Sequence, residues 1–275
     1  MLKHLLSSFA LLSLVWLAAN RGNAQQPAKS ASTAQKSASK ASDEEVIDQY
    51  QALVAKLPPE RQAWERLLQE NLGDFYLPIH QREKVRGVSN AWDYVEDDPK
   101  LPRVLLIGDS ISRGYTQACR KALAGKANVH RAPANCGPTT LGLKKIDVWL
   151  GAGKWDLIHF NFGIHDFNNS STADAYSQRL ERLVERMKQT KAKLVFASST
   201  PSPARADRKP DAATIAELNT AAAEIMKKHD VAIDDLYTAI TPHLAETQLK
   251  DGHFKNTGYD ILGQHVAAFI EQSLR

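Results

Sequence analysis

The residues best able to do chemistry are a serine and a histidine set far apart in the chain. Val104-Leu105-Leu106-Ile107 is an apolar run of β-type residues that halts at Gly108 and then presents Asp109 and Ser110. A buried strand ending in a tight turn is where an α/β fold exposes a nucleophile, and the start of the next helix favours developing negative charge. Near the C-terminus, Lys250-Asp251-Gly252-His253-Phe254 offers an imidazole as base and a carboxylate to orient it. Taken singly, Ser110 could be no more than an N-cap and His253 a solvated loop residue.

Two further segments carry polar groups between these. Gly137, in Asn135-Cys136-Gly137, offers a backbone N–H without side-chain obstruction, with a plain turn before Pro138 as the alternative. Gly163-Ile164-His165-Asp166 supplies either a donor beside the nucleophile or a local imidazole–carboxylate pair. Acyl transfer needs a nucleophile, a base, an orienting group and an oxyanion hole. Each of the four segments can contribute one part.

Strands and helices alternate from Pro102 onward. Strand-like runs fall at Val104–Ile107, Asn128–Arg131, Leu157–Phe162, Leu194–Ser198 and Val231–Ile233. Between them lie amphipathic helices, with Tyr176, Leu180, Leu183, Val184 and Met187 on one face of one, and Ile215, Leu218, Ala222, Ile225 and Met226 on one face of another. Residues 257–274 close the chain with a further helix. This pattern predicts a flavodoxin-like α/β three-layer sandwich around a five-stranded parallel sheet of order 2-1-3-4-5. Ligands bind beyond the carboxyl ends of such strands, and all four polar segments fall at that edge.

Those segments resemble the four sequence blocks of the SGNH (GDSL-type) hydrolases, over roughly residues 101–274. The resemblance implies a carboxylic ester hydrolase; no metal-ligand cluster is visible in the sequence, and neither metal nor other cofactor is expected. It implies Ser110 as nucleophile and His253 as general base, with the N–H groups of Ser110 and Gly137 in the oxyanion hole. His165 stands where the family has an asparagine that supplies a third donor, and Asn161 or Asn168 could substitute for it. The family's acid precedes its histidine by three residues; Lys250 occupies that position here, and Asp251, one residue closer, is the expected orienting group. Asp109 and Asp166 are expected to support the site. The Gly-x-Ser-x-Gly elbow of the α/β-hydrolases is absent. By resemblance, the preferred substrate is a small acyl ester, acetyl foremost, on a polysaccharide. A lipolytic or arylester-cleaving esterase, an acyltransferase and a non-catalytic glycan-binding module are the alternatives, the last opposed by the intact Ser110–His253 pair.

The flanking sequence bears on location. Lys3 and His4 precede the uncharged apolar run Leu5–Ala19, and Gly22-Asn23-Ala24 supplies small residues for cleavage, so residues 1–24 are expected to be a signal peptide and the protein to be periplasmic or extracellular. No cysteine follows Ala24 to take a lipid anchor, and no stable membrane insertion is expected after cleavage. Residues 25–42, rich in Ala, Ser, Lys and Gln, read as a linker. Residues 43–100 read as a helical extension laid on the main domain of residues 101–275. Its two helical patterns are split at Pro58-Pro59, with Phe75, Tyr76, Trp92 and Tyr94 as packing anchors. Loss of Lys3 and Arg21 with the leader takes the formal charge from +4 to +2. No basic stripe appears, and no nucleic-acid partner is expected. An oxidising compartment permits a Cys119–Cys136 disulfide, although two buried free thiols are the preferred reading. Trp149 and Trp155 read as core residues in preference to sugar platforms.

Overall fold

The computed structural model describes residues 43–168, 172–203 and 212–275. The expected leader and linker, residues 1–24 and 25–42, lie outside them. Five strands, β1 (Arg103–Ile107), β2 (Asn128–Arg131), β3 (Leu157–Phe160), β4 (Lys193–Ala197) and β5 (Ala232–Asp234), form one all-parallel sheet of order β2-β1-β3-β4-β5. This is the expected flavodoxin-like topology. The register sets Val104 against both Val129 and Leu157, so the apolar runs lie side by side at the centre of the sheet.

Alternation along the strands divides the core in two. Leu105, Ile107, Phe160 and Phe196 face the helices α5 (Thr139–Leu150), α7 (Ala173–Lys188) and α8 (Ala212–His229). Val104, Leu106, Leu157 and Val195 face α4 (Ser110–Ala122), α9 (Leu236–Ile240) and α11 (Asn256–Ser273). The stripe Tyr176, Leu180, Leu183, Val184 and Met187 is fully buried, as its spacing predicts. Two short helices, α6 (Ile164–Asn168) and α10 (Leu244–Thr247), sit in the connections. On the second face α4 and α11 approach very closely. A Cβ on Gly263 would lie 2.4 Å from that of Ala118 and 2.9 Å from the backbone of Tyr115 and Cys119, so only glycine permits the contact.

Residues 45–275 form one compact unit. Within it, α1 (residues 43–54), α2 (Pro59–Asn71) and α3 (Gly73–Val85) make up the helical extension. Sequence analysis resolves two helical patterns in the extension, and residues 73–85 add a third helix despite the proline within it. Pro78 lies close to the helix start and forfeits a single intrahelical bond, which tertiary packing outweighs. That packing centres on Trp92, Leu68 and Leu72, joined by Trp64, Tyr76 and Leu77. A buried carboxylate pins the three helices together. Glu65 accepts from the Tyr50 hydroxyl at 2.8 Å, His80 Nε2 at 2.8 Å and Lys84 Nζ at 3.2 Å. Tyr94 lies under the Arg61 guanidinium. Phe75 departs from its expected role as an anchor: α3 turns Leu77, His80 and Gln81 toward the core and leaves Phe75 71% exposed.

Cys119 and Cys136 are free thiols in the two separate cores on opposite faces of the sheet, and burial pushes both thiols up to about 12. Trp149 is buried and stacks on Phe162, while Trp155 lies under the Arg103 guanidinium at 4.3 Å. Both sit toward the amino ends of the strands, away from Ser110. No helix among the described residues is long and apolar enough to cross a membrane.

Candidate active site

The nucleophile turn is built by hydrogen bonds that the sequence does not advertise. Asp109 caps α4, its carboxylate accepting from the Ile111 N–H at 2.9 Å. Ser110 is thereby the first residue of the helix. Arg131, the last residue of β2, is buried, and its Nη2 donates to the carbonyl oxygens of Gly108 and Asp109 at 2.9 Å each. Its Nη1 donates to the Ser112 hydroxyl. Burial pulls the guanidinium pKa down from its ordinary value, but these acceptors leave it a paired cation clamping the turn. Sequence reasoning placed Arg131 in a strand and gave it no role. A charged side chain inside an otherwise buried strand was the available signal.

Ser110 Oγ lies 2.8 Å from His253 Nε2, and His253 Nδ1 lies 3.1 Å from Asp251 Oδ2. Asp251 Oδ1 also accepts the His253 backbone N–H at 3.1 Å. The close spacing of acid and base works because Gly252 adopts a left-handed φ of +92° and folds the chain back. The Gly252 N–H donates to Leu249 O at 3.0 Å, the Leu249 N–H donates to His253 O at 2.7 Å, and Gln248 bridges Phe254 antiparallel. Partial burial resists ionisation of Asp251, but hydrogen bonds from the His253 backbone and imidazole outweigh it and hold the carboxyl below the usual range. The His253 and Asp251 side chains are 41% and 56% exposed, so the site opens directly to solvent.

Gly137 is held at φ +58° in the loop that the Cys136 N–H ties to Gly108 O at 3.1 Å. Two residues on, the start of α5 is clamped by the buried Asp166. Its Oδ2 accepts from the Thr139 N–H at 2.9 Å, and its Oδ1 accepts from the Thr139 hydroxyl and from Arg179 Nη2 at 3.3 Å. His165, half-buried, sets Nε2 3.6 Å from Asp109 Oδ2, beside the nucleophile turn. The Asn161 amide donates to Ala197 O at 2.8 Å and to Ser199 Oγ at 3.3 Å, bracing the ends of β3 and β4. The Asn168 side chain lies outside those described. Gly163 makes a close approach, because a Cβ there would lie 2.2 Å from Ser199 Oγ.

One contact comes from outside the sheet. The Tyr76 ring on α3 packs against the Arg113 guanidinium, one turn into α4 from Ser110, at 5.5 Å to the ring centroid. Burial raises the Tyr76 pKa, so the phenol stays protonated at neutral pH. Tyr76 is thus the packing anchor that the sequence predicts.

Residues 106–261, more than half of the chain, match the GDSL-like lipase/acylhydrolase family. The chain belongs to that family. This GDSL-like acylhydrolase is a carboxylic ester hydrolase, and α1–α3 lie before the matched region. Its fold is that of a lipase/acylhydrolase from Enterococcus faecalis, at 24% identity and TM-score 0.54 over 62% of this chain and 96% of the other. An acetyl xylan esterase is similar at 11% identity and TM-score 0.54, over 61% and 99%. An acetylxylan esterase from Geobacillus stearothermophilus is similar at 17% identity and TM-score 0.53, over 62% and 94%. Comparison with curated proteins found no match.

Proposed function

We propose that this hydrolase is an exported serine esterase that removes small acyl groups, acetyl foremost, from carbohydrate. The observation that carries the mechanism is the continuous line from Ser110 Oγ through the His253 ring to Asp251, with contacts of 2.8 and 3.1 Å. Nδ1–H donates to the carboxylate, which leaves Nε2 to accept the serine proton. Ser110 attacks the ester carbonyl as His253 takes its proton. The resulting oxyanion is met by the N–H groups of Ser110 and Gly137, with His165 as the neighbouring imidazole donor. His253 then protonates the departing sugar hydroxyl, leaving an acyl-enzyme. A water molecule, deprotonated by the same imidazole, attacks that ester; the acid is released and the proton returns to Ser110.

Carbohydrate as substrate is supported by the solvent-open imidazole, which a bulky polymer can reach, and by the acetylxylan esterases among the structural relatives. Export is supported by the leader pattern of residues 1–24. Acetate release from acetylated xylan, compared with hydrolysis of nitrophenyl esters of increasing chain length, tests the reading. Ser110→Ala is expected to abolish turnover on every ester cleaved, and unchanged turnover would refute the nucleophile. Preference for long-chain esters points instead to a lipolytic enzyme, and glycan binding without any ester cleavage to a binding module.

A further inference from the structure

A second cleft, apart from Ser110 and His253, holds cations that the chain leaves without a counter-charge. It opens between α2, residues 93–97, the edge strand β2 and the end of α5, and encloses about 740 Å³, within the range of small-molecule sites. The guanidiniums of Arg120 and Arg131 line it. Arg131 is buried and Arg120 partly so, and burial pulls both below their ordinary pKa, Arg120 to about 10. A buried cation is normally met by a carboxylate, because its lost hydration is otherwise not repaid. Neither of these has one in contact among the described residues. Arg120 donates to the carbonyl oxygens of Val129 at 3.0 Å, Asn90 at 3.2 Å and Asp93 at 3.5 Å, and to the Gln117 amide oxygen at 3.3 Å, all neutral. Arg131 spends Nη1 and Nη2 on neutral oxygens of the nucleophile turn, with the Trp92 ring 5.8 Å away. Its Nε has no hydrogen-bond partner, and neither has Nε1 of Trp149, a second buried donor along the cleft.

The acids of the cleft are already taken. Asp97 pairs with Arg103 at 2.8 Å and His130 at 2.6 Å, and Asp93 with Lys84 at 3.2 Å. Two positive charges and two donors are thus left over in one cavity. Around them stand the rings of Trp64, Tyr94 and Trp155, with Leu67 and Val148. An inorganic anion would meet the charge and leave these walls bare, whereas a ring that carries a carboxylate meets both. We propose that this cleft binds a six-membered ring bearing a carboxylate, a uronic acid unit foremost. The carboxylate supplies the counter-charge that Arg120 and Arg131 lack, and the ring lies among the aromatic side chains. Trp64, Leu67 and Tyr94 precede residue 106, so the helical extension and the segment after it build a wall outside the region shared with the family. The site stands on its own residues, and only the choice of a sugar acid as ligand rests on the carbohydrate-esterase reading.

Calorimetric titration of the full chain with glucuronate, glucose, 4-hydroxybenzoate and inorganic phosphate, at low salt and pH 7, tests the site without recourse to turnover. Glucuronate is expected to bind at least tenfold more tightly than glucose, which has the same ring and no charge. Preference for 4-hydroxybenzoate supports the ring-carboxylate site and assigns it to an aromatic acid. Val148 is 37% exposed on the cleft wall, so Val148→Trp should block entry and weaken glucuronate binding more than tenfold without moving the unfolding temperature. Arg120→Gln should weaken it to a similar degree. Ser110→Ala should bind as wild type does, so a failed esterase reading and a failed site are told apart. Absence of binding by both acids, glucose bound as well as glucuronate, or phosphate bound as tightly as either acid overturns the proposal. So does glucuronate binding that Val148→Trp and Arg120→Gln leave within twofold of wild type.

Discussion

Replacing Asp166 by asparagine keeps the side chain's shape and removes the charge that ties α5 to α6. The buried carboxylate accepts three hydrogen bonds, from the Thr139 N–H, the Thr139 hydroxyl and Arg179. The amide oxygen can still accept, but its NH₂ faces donors, so one or two charge-assisted bonds are lost at about 1.5–3 kcal/mol each. At ~2–4 °C per kcal/mol for a unit of this size, the unfolding temperature should fall by roughly 3–24 °C. The effect on catalysis is separate. Thr139 lies two residues beyond Gly137, so releasing it lets the Gly137 N–H drift from the oxyanion. One such donor is worth about 10²–10³ in kcat, and partial misplacement should cost ten- to a hundredfold with KM within about threefold. Steady-state kinetics on 4-nitrophenyl acetate and thermal unfolding by circular dichroism measure both. Thr139→Val, which keeps the backbone bond, should lose stability with a smaller drop in kcat. If Asp166→Asn lowers the unfolding temperature yet keeps kcat within twofold, the carboxylate stabilises the fold without positioning Gly137.

Two other substitutions probe the frame around the site. Gly163→Ala drives its Cβ against Ser199 Oγ, and Ser199→Ala removes that oxygen and leaves the nearest atom at 3.4 Å. The double variant should therefore be more stable than Gly163→Ala alone in chemical denaturation; additive losses would show that the strain lies elsewhere. Behind the site, Asp234 is buried between His159 Nε2 at 3.0 Å and His265 Nε2 at 2.9 Å. Burial opposes ionisation of Asp234, but the two imidazoles outweigh it and lower its pKa, while the hydrogen bond to Asp234 raises that of His265. The His265 contribution is fully present below the ordinary imidazole value, ~6.5, and is lost as pH rises through the raised one. The Asp234 contribution is present above the ordinary carboxylate range and is lost as pH falls through its lowered value. Thermal stability should decline as pH rises above ~6.5 through the raised His265 value, and His265→Gln should flatten that decline; parallel curves would contradict the assignment.

Sheet order and the four polar segments were legible because each strand is a short apolar run, buried on both faces, and each run halts at a polar loop on the same edge. The nearness of Asp251 to His253 was legible only as residue types, since it depends on a left-handed turn at Gly252. Arg131 was hidden for a different reason. It acts across a long sequence separation on backbone and hydroxyl groups of the nucleophile turn, and no local periodicity records that. Phe75 misled because hydrophobicity alone suggests burial, whereas the helix that carries it turns the ring outward.

The contact at Gly263 ties the first catalytic helix to the last one. Ser110 begins α4 and His253 directly precedes α11, so the general base arrives only when the C-terminal helix seats against a segment synthesised far earlier. A growing or truncated chain thus carries a serine with no proton acceptor, and hydrolytic power appears in one step with the final long-range docking event. Ester turnover is thereby a direct readout of complete folding, and lesions along the α4–α11 seam should yield inert chains before they yield slow enzymes.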